Sequence, residues 1–254
     1  MLYYKEVRNK NSNEWIVMLH GICANSAMWT QQIFSFNKKY NLLLIDLPSH
    51  GQAEKDLKKH NVNSMSQIAR MIIDVLNKLE IEKAHFAGIS IGTMVVGKVY
   101  QLYPERVSSI VMTGAVASFG FIREIGVNVF GKTAKLCNAR TMVRLWMDFI
   151  LDKNEKNIRE LFIEQSKLIS KPDTKEWIEM VVRERKLLTQ IDYSNVNILF
   201  IMGEKDWIFL TPVKKLKNKF KNIKLSIIEN AGHICNAQKS EKFNKIMLDF
   251  LATV

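Results

Sequence analysis

Short runs of apolar, largely β-branched residues recur along this chain, separated by stretches with helical spacing. The runs are Trp15 to Leu19, Leu42 to Leu47, Ala84 to Ala87, Ile110 to Met112, Ile198 to Met202 and Leu225 to Ile228. A run that is apolar at every position, rather than at alternate ones, suits a strand covered on both faces. Among the helical stretches, Met65 to Leu79 puts Ile68, Ile72, Leu76 and Leu79 on one stripe, with Ser64 and Gln67 at capping-box spacing. A second helix is expected from Ile91 to about Tyr103, closed by Pro104, and a third with Thr211 at its N-cap and Pro212 in its first turn. Strands alternating with helices imply an α/β protein with a doubly wound, mostly parallel sheet.

The alternation stops in the middle. From about Val116 to Gln190 no run has strand character, and the helical stretches are Thr141 to Leu151, Ile158 to Ile169 and one starting near Asp173. This reads as a helical insertion (116–190) between two parts of one core (1–115 and 191–254). With 254 residues, 47% of them hydrophobic, the chain has enough apolar material for one sizeable core and too much for disorder.

The longest uncharged stretch, Val107 to Ile122, is shorter than the roughly 18 residues of a membrane span. Met1-Leu2-Tyr3-Tyr4-Lys5-Glu6 has neither the apolar centre nor the cleavage site of a secretory signal, so a cytoplasmic protein is expected. Cys23, Cys137 and Cys235 are odd in number and form no CxxC pair, which argues for reduced thiols. The net charge of +12 raises the question of nucleic acid. Its densest run, Lys214 to Lys221, carries Val213, Leu216 and Phe220 at helical spacing and reads as the solvated side of a surface helix; no nucleic-acid partner is expected.

Chemistry enters at Gly88-Ile89-Ser90-Ile91-Gly92, which matches G-x-S-x-G between an expected strand and an expected helix. There Ser90 sits on a sharp turn, with glycines relieving the crowding and the hydroxyl projecting above the sheet. A serine hydroxyl needs an imidazole to take its proton and a carboxylate to fix the imidazole's tautomer. The last two strands run into Gly203-Glu204-Lys205-Asp206 and Glu229-Asn230-Ala231-Gly232-His233, giving Asp206 and His233 in the order Ser, Asp, His. Glu204 precedes the turn and is expected to face away, and His85 lies within a strand, where a structural role is expected. The developing oxyanion needs backbone donors, for which the amides of Ile22, after His20-Gly21, and of Ile91 are the natural pair.

These segments, with Trp29 and Asp46-Leu47-Pro48-Ser49-His50-Gly51, resemble the α/β-hydrolase superfamily, close in pattern to small capped carboxylesterases. The resemblance covers essentially the whole chain and implies that the insertion is a cap over the active site. Ser49 departs from it, standing where glycine is common, and so do Ile89 and Ile91 within the elbow. The resemblance implies a serine hydrolase acting on small to medium carboxylic esters. Carbon-carbon bond hydrolases and perhydrolases share the same Ser, Asp, His set, and a hydrolase fold can also serve as a ligand receptor. No phosphate loop, dinucleotide fingerprint or metal-ligand cluster is present, so no cofactor and no metal is expected. The cap concentrates Phe119, Phe121, Phe130, Met142, Trp146, Met147, Phe149, Phe162 and Trp177, most of them expected to pack the cap itself and the rest to line an apolar pocket.

Overall fold

A computed structural model of the chain describes residues 2–118, 139–151 and 155–254. The apolar runs become strands of one seven-stranded sheet: β1 (Tyr3–Val7), β2 (Trp15–Leu19), β3 (Asn41–Asp46), β4 (Ala84–Ile89), β5 (Val107–Thr113), β6 (Asn197–Gly203) and β7 (Ile223–Ile228). They lie in the order β1-β3-β2-β4-β5-β6-β7. All neighbours are parallel except β1, which runs antiparallel to β3. The strands β2, β3 and β4 are buried at every position, as continuous apolar runs require. No counterpart of β1 exists among the expected strands. Its Tyr-Tyr-Lys-Glu-Val segment is only partly buried, and on an edge strand charged side chains discourage pairing with other chains.

Ten α-helices are described: α1 (Thr30–Phe36), α2 (Met65–Lys78), α3 (Ile91–Leu102), α4 (Ala139–Ile150), α5 (Lys156–Ser166), α6 (Lys171–Arg183), α7 (Leu187–Gln190), α8 (Leu210–Lys217), α9 (Cys235–Gln238) and α10 (Ser240–Leu251). The expected capping box closes α2: the Ser64 hydroxyl accepts from the Gln67 N–H, and the Gln67 side chain accepts from the Ser64 N–H. Two helix starts differ from expectation. Thr211 lies inside α8, whose N-cap is Phe209, because the Asp206 carbonyl already accepts from the Phe209 and Leu210 amides and winds the chain directly into the helix. The α6 helix starts before Asp173, since Ser170 is the N-cap and its hydroxyl accepts from the Asp173 N–H at 3.1 Å. In α8, Val213 and Leu216 are buried while Lys214, Lys215 and Lys217 are exposed, as the charge pattern requires.

Right-handed crossovers fix the layers. The step from β2 to β3 runs one way across the sheet and the later steps run the other way, so α1 covers one face and α2 and α3 the opposite one. Leaving β7, the chain returns through α10 to pack beside α1. Between β5 and β6 the described chain is helical or irregular, without a strand. Phe119, Phe121, Phe130 and Cys137 lie outside the described residues, as do the side chains of Met142, Trp146 and Phe149. Met147, Phe162 and Trp177 are buried.

Candidate active site

The site forms where β4 and β2 lie side by side with Leu19 paired to Gly88, which sets the turn after β4 against the loop after β2. Between β4 and α3, Ser90 takes φ 53° and ψ −118°, a conformation an ordinary side chain avoids. It is held there by its own N–H, which donates to the Thr113 carbonyl at 2.9 Å. A Cβ on Gly92 would stand 2.6 Å from the Leu19 carbonyl oxygen and 2.7 Å from that of His20, so only glycine lets α3 start this close to β2.

The loops after β6 and β7 bring Asp206 and His233 to the serine. Ser90 Oγ lies 3.0 Å from His233 Nε2, and His233 Nδ1 lies 2.9 Å from Asp206 Oδ2. With Nδ1–H donating to the carboxylate, the Nε2 lone pair is left facing the serine hydroxyl. Asp206 and His233 are 4% and 2% exposed, so their contact is shielded from water. Glu204 faces the surface and accepts from the Asn230 N–H at 3.0 Å. Behind the histidine lies a residue the sequence reading did not single out. Gly114, at φ +53°, has room for no Cβ: one would fall 2.6 Å from the His233 carbonyl oxygen and 3.0 Å from its ring. The signal available was a glycine directly after a core strand.

The loop after β2 carries Ile22, and α3 begins with Ile91. Neither amide has a hydrogen-bond partner among the described residues, and both flank the turn that carries Ser90. The next amide, Cys23 N–H, is taken up by His50 Nε2 at 3.0 Å. His50 Nδ1–H in turn donates to the Pro48 carbonyl at 3.0 Å. His20 is held the same way, its Nδ1–H donating to the Gly21 carbonyl at 2.7 Å and its Nε2 accepting from the Leu47 N–H at 2.9 Å. Burial lowers the pKa of both imidazoles, that of His50 well below the ordinary 6.5, with His20 beside it as a second cause. Both are therefore neutral rings in fixed tautomers. His85 has the structural role expected for it, with Nδ1 2.8 Å from Ser109 Oγ.

Asp46 ties this corner together by accepting from the Ser26 N–H at 2.7 Å and the Gln52 N–H at 2.8 Å. Ser49 adopts φ +64°, so the serine keeps the left-handed turn that glycine commonly makes, and its hydroxyl accepts from the Trp177 indole N–H at 3.3 Å. On the other side, Asn236 donates to the Met28 carbonyl at 3.0 Å and Gln32 donates to the Asn236 carbonyl at 3.0 Å, fastening the segment after His233 to the start of α1. Cys23 and Cys235 are buried, and burial pushes the Cys23 thiol up to about 12 and the Cys235 thiol up as well. Neither is a nucleophile near neutral pH.

A cleft of about 340 Å³ opens between α5 and the segment that starts α1. Ile158, Leu161 and Phe162 line it from above, and Met28, Ile234 and Ala237 from below. Ser90, Asp206 and His233 do not line it; its floor adjoins their loops through Met28, whose sulfur accepts from the Gly21 N–H at 3.4 Å, and through Ile234, which follows His233. Among the described residues no cluster of three His, Cys, Asp or Glu side chains is placed to hold a metal ion, and no helix is long and apolar enough to cross a membrane.

A doubly wound sheet with a serine on a strained strand-to-helix turn and an imidazole and a carboxylate on the last two strand-end loops is the arrangement of an α/β-hydrolase. The alpha/beta hydrolase fold family model matches residues 14–239, and the chain belongs to that family. It is 24% identical over 247 residues to the uncharacterized carboxylesterase nap of Bacillus subtilis, covering 92% of this chain and 78% of that protein. It is 22% identical over 259 residues to 2-hydroxy-6-oxononadienedioate/2-hydroxy-6-oxononatrienedioate hydrolase 1 of Pseudomonas putida, covering 94% of this chain and 88% of that one. Among solved structures, MenH from S. aureus superposes with a TM-score of 0.85 at 20% identity, covering 98% of both chains.

Proposed function

We propose that the protein is a serine hydrolase that cleaves small to medium carboxylic esters through an acyl-enzyme. The observation that carries this reading is the hydrogen-bonded series Ser90 Oγ, His233 Nε2, His233 Nδ1, Asp206 Oδ2, with steps of 3.0 and 2.9 Å. Ser90 Oγ attacks the ester carbonyl while His233 Nε2 takes its proton, and Asp206 stabilises the imidazolium that results. The carbonyl oxygen, now an oxyanion, accepts from the Ile22 and Ile91 amides, the latter also at the positive end of α3. Collapse of the intermediate breaks the bond to the alkoxy group, which leaves with the proton from His233. Water then repeats the sequence and releases the acid.

The segment 116–190 acts as a cap over this site, and the cleft under α5 receives the apolar part of the ester. The similarity to a 2-hydroxy-6-oxononadienedioate/2-hydroxy-6-oxononatrienedioate hydrolase favours one second reading, attack of the same serine on an activated ketone with cleavage of a carbon-carbon bond. Two buried free thiols fit a reducing compartment, and we place the protein in the cytoplasm. A fluorophosphonate probe should label Ser90 in the wild type, and Ser90→Ala should lose roughly 10⁴-fold or more of its esterase activity, by analogy with other serine hydrolases. Screening p-nitrophenyl esters beside a vinylogous diketone decides between the two bonds. Labelling at any other residue would overturn the assignment.

A further inference from the structure

We propose that His20 and His50 are positioning residues for the Ile22 amide, and that Trp177 links the seating of α6 on the core to them. The inference rests on the serine-hydrolase reading above, in which Ile22 is an oxyanion donor. A peptide unit is planar, so fixing its carbonyl fixes the direction of its N–H. The unit joining Gly21 to Ile22 is gripped at its oxygen, which accepts from His20 Nδ1–H at 2.7 Å and from the Ala24 N–H at 3.4 Å. Its N–H, the Ile22 donor, therefore points the opposite way, without a partner among the described residues. The following unit is gripped at its nitrogen, since Cys23 N–H donates to His50 Nε2 at 3.0 Å. Cys23 itself sits at φ +58°, a backbone state a non-glycine residue keeps only when its surroundings impose it. Two successive peptides are thus each set by one histidine.

The two rings in turn are fixed from outside the loop. They lie 5.1 Å apart, centroid to centroid, and each has its tautomer chosen by a backbone carbonyl. Trp177, fully buried on α6, meets the His50 ring edge-on at 5.2 Å. Its indole N–H reaches the Pro48 carbonyl at 3.1 Å and Ser49 Oγ at 3.3 Å. Pro48 O is also the acceptor of His50 Nδ1–H. One carbonyl therefore receives both the cap's indole and the histidine that holds Cys23. A displacement of α6 alters the acceptor on which the His50 orientation depends, and with it the Cys23 and Ile22 peptides. None of these side chains takes part in bond making, so their removal should weaken the transition state while leaving ground-state binding nearly intact.

The test compares His50→Leu, His50→Gln and Trp177→Phe with the wild type, by steady-state kinetics on p-nitrophenyl butyrate and by inhibition with an alkyl boronic acid. The boronate's tetrahedral adduct with a serine hydroxyl puts an oxygen where the oxyanion forms. Leucine removes the acceptor for Cys23 N–H, and glutamine can offer one at the same reach. The expected result is a roughly 10- to 100-fold fall in kcat for His50→Leu, less than the roughly 10²–10³-fold for losing an oxyanion donor outright because the Ile22 amide is misaimed rather than removed, with KM within about twofold. Boronate affinity should fall in parallel, and His50→Gln should recover most of both. Trp177→Phe, which keeps the ring and loses the N–H, should show a smaller loss of the same kind, and it carries the test if His50→Leu does not fold. Wild-type kcat and boronate affinity in a folded His50→Leu or in Trp177→Phe would overturn the inference, and so would a loss that glutamine does not relieve. A wild type that neither hydrolyses esters nor reacts with a fluorophosphonate overturns instead the reading beneath it.

Discussion

Replacing Gly114 with alanine tests whether the strand-end packing behind His233 sets the geometry of the reacting groups. The residue lies at φ +53°, where an L side chain costs about 1–2 kcal/mol. The added Cβ would also stand 2.6 Å from the His233 carbonyl oxygen, which is backbone and cannot rotate away, and an ordinary contact begins near 3.4 Å. His233 must retreat by about 0.8 Å to restore that contact, a figure taken from those two distances. Its ring, at 3.0 Å from the same Cβ, is pushed along with it. The imidazole then cannot keep both its 3.0 Å approach to Ser90 and its 2.9 Å bond to Asp206. A misplacement of about 1 Å in a catalytic group costs on the order of 10²-fold in rate, so kcat/KM on p-nitrophenyl butyrate should fall by about 10- to 100-fold. The backbone cost should lower Tm by roughly 2–8 °C, at about 2–4 °C per kcal/mol for a chain of this size. A Gly114→Ala protein with a lowered Tm and wild-type kcat/KM would refute the reasoning, because it would show that the loop yields without moving the imidazole.

Asp206→Asn should fold normally and lose roughly 10⁴-fold of its kcat by favouring the wrong imidazole tautomer, whereas Glu204→Gln should stay near wild type; a reversal of the two would identify the other acid. Across p-nitrophenyl esters, kcat/KM should rise about fourfold per added methylene, from about 0.8 kcal/mol of burial each, until the cleft is full, and Phe162→Ala should shift the optimum to longer chains. A flat profile would count against the cleft as the acyl or alcohol site. His20, His50 and His85 have pKa values lowered by burial, so the unfolded chain binds protons that the folded chain refuses as pH drops below the ordinary 6.5. Their contribution to stability is complete above that value and is lost as pH falls below it, by up to about 1.4 kcal/mol per pH unit for each proton; chemical denaturation at pH 7, 6 and 5 measures it, and His85→Gln should reduce the slope.

The buried strands were legible because their runs are apolar on both faces, and the site because G-x-S-x-G lies between such a run and a helix, with Asp206 and His233 at two later strand ends. The edge strand β1 was not, since its single ladder tolerates Lys5 and Glu6 and leaves no periodic signal. Gly114 shows in the sequence only as a glycine after a core strand, because the constraint on it is a contact with His233, far along the chain. The links from Trp177 to Pro48 and Ser49 are likewise tertiary, although Ser49 gave a hint by occupying a position where glycine is common. The helix starts were displaced for a similar reason: Ser170 and the Asp206 carbonyl cap their helices through loop geometry that a local pattern does not contain.

The strand order has a consequence for synthesis. The serine's strained turn is secured within the first half of the chain, by Thr113 on β5 and by the approach of Gly92 to β2. The imidazole and carboxylate beside it arrive only with residues 206 and 233, after the segment between β5 and β6 has been made. On the proposed mechanism a growing chain would carry a shaped but unactivated hydroxyl until β6 and β7 dock onto β5, and hydrolysis would switch on as the last strands add to the sheet's edge.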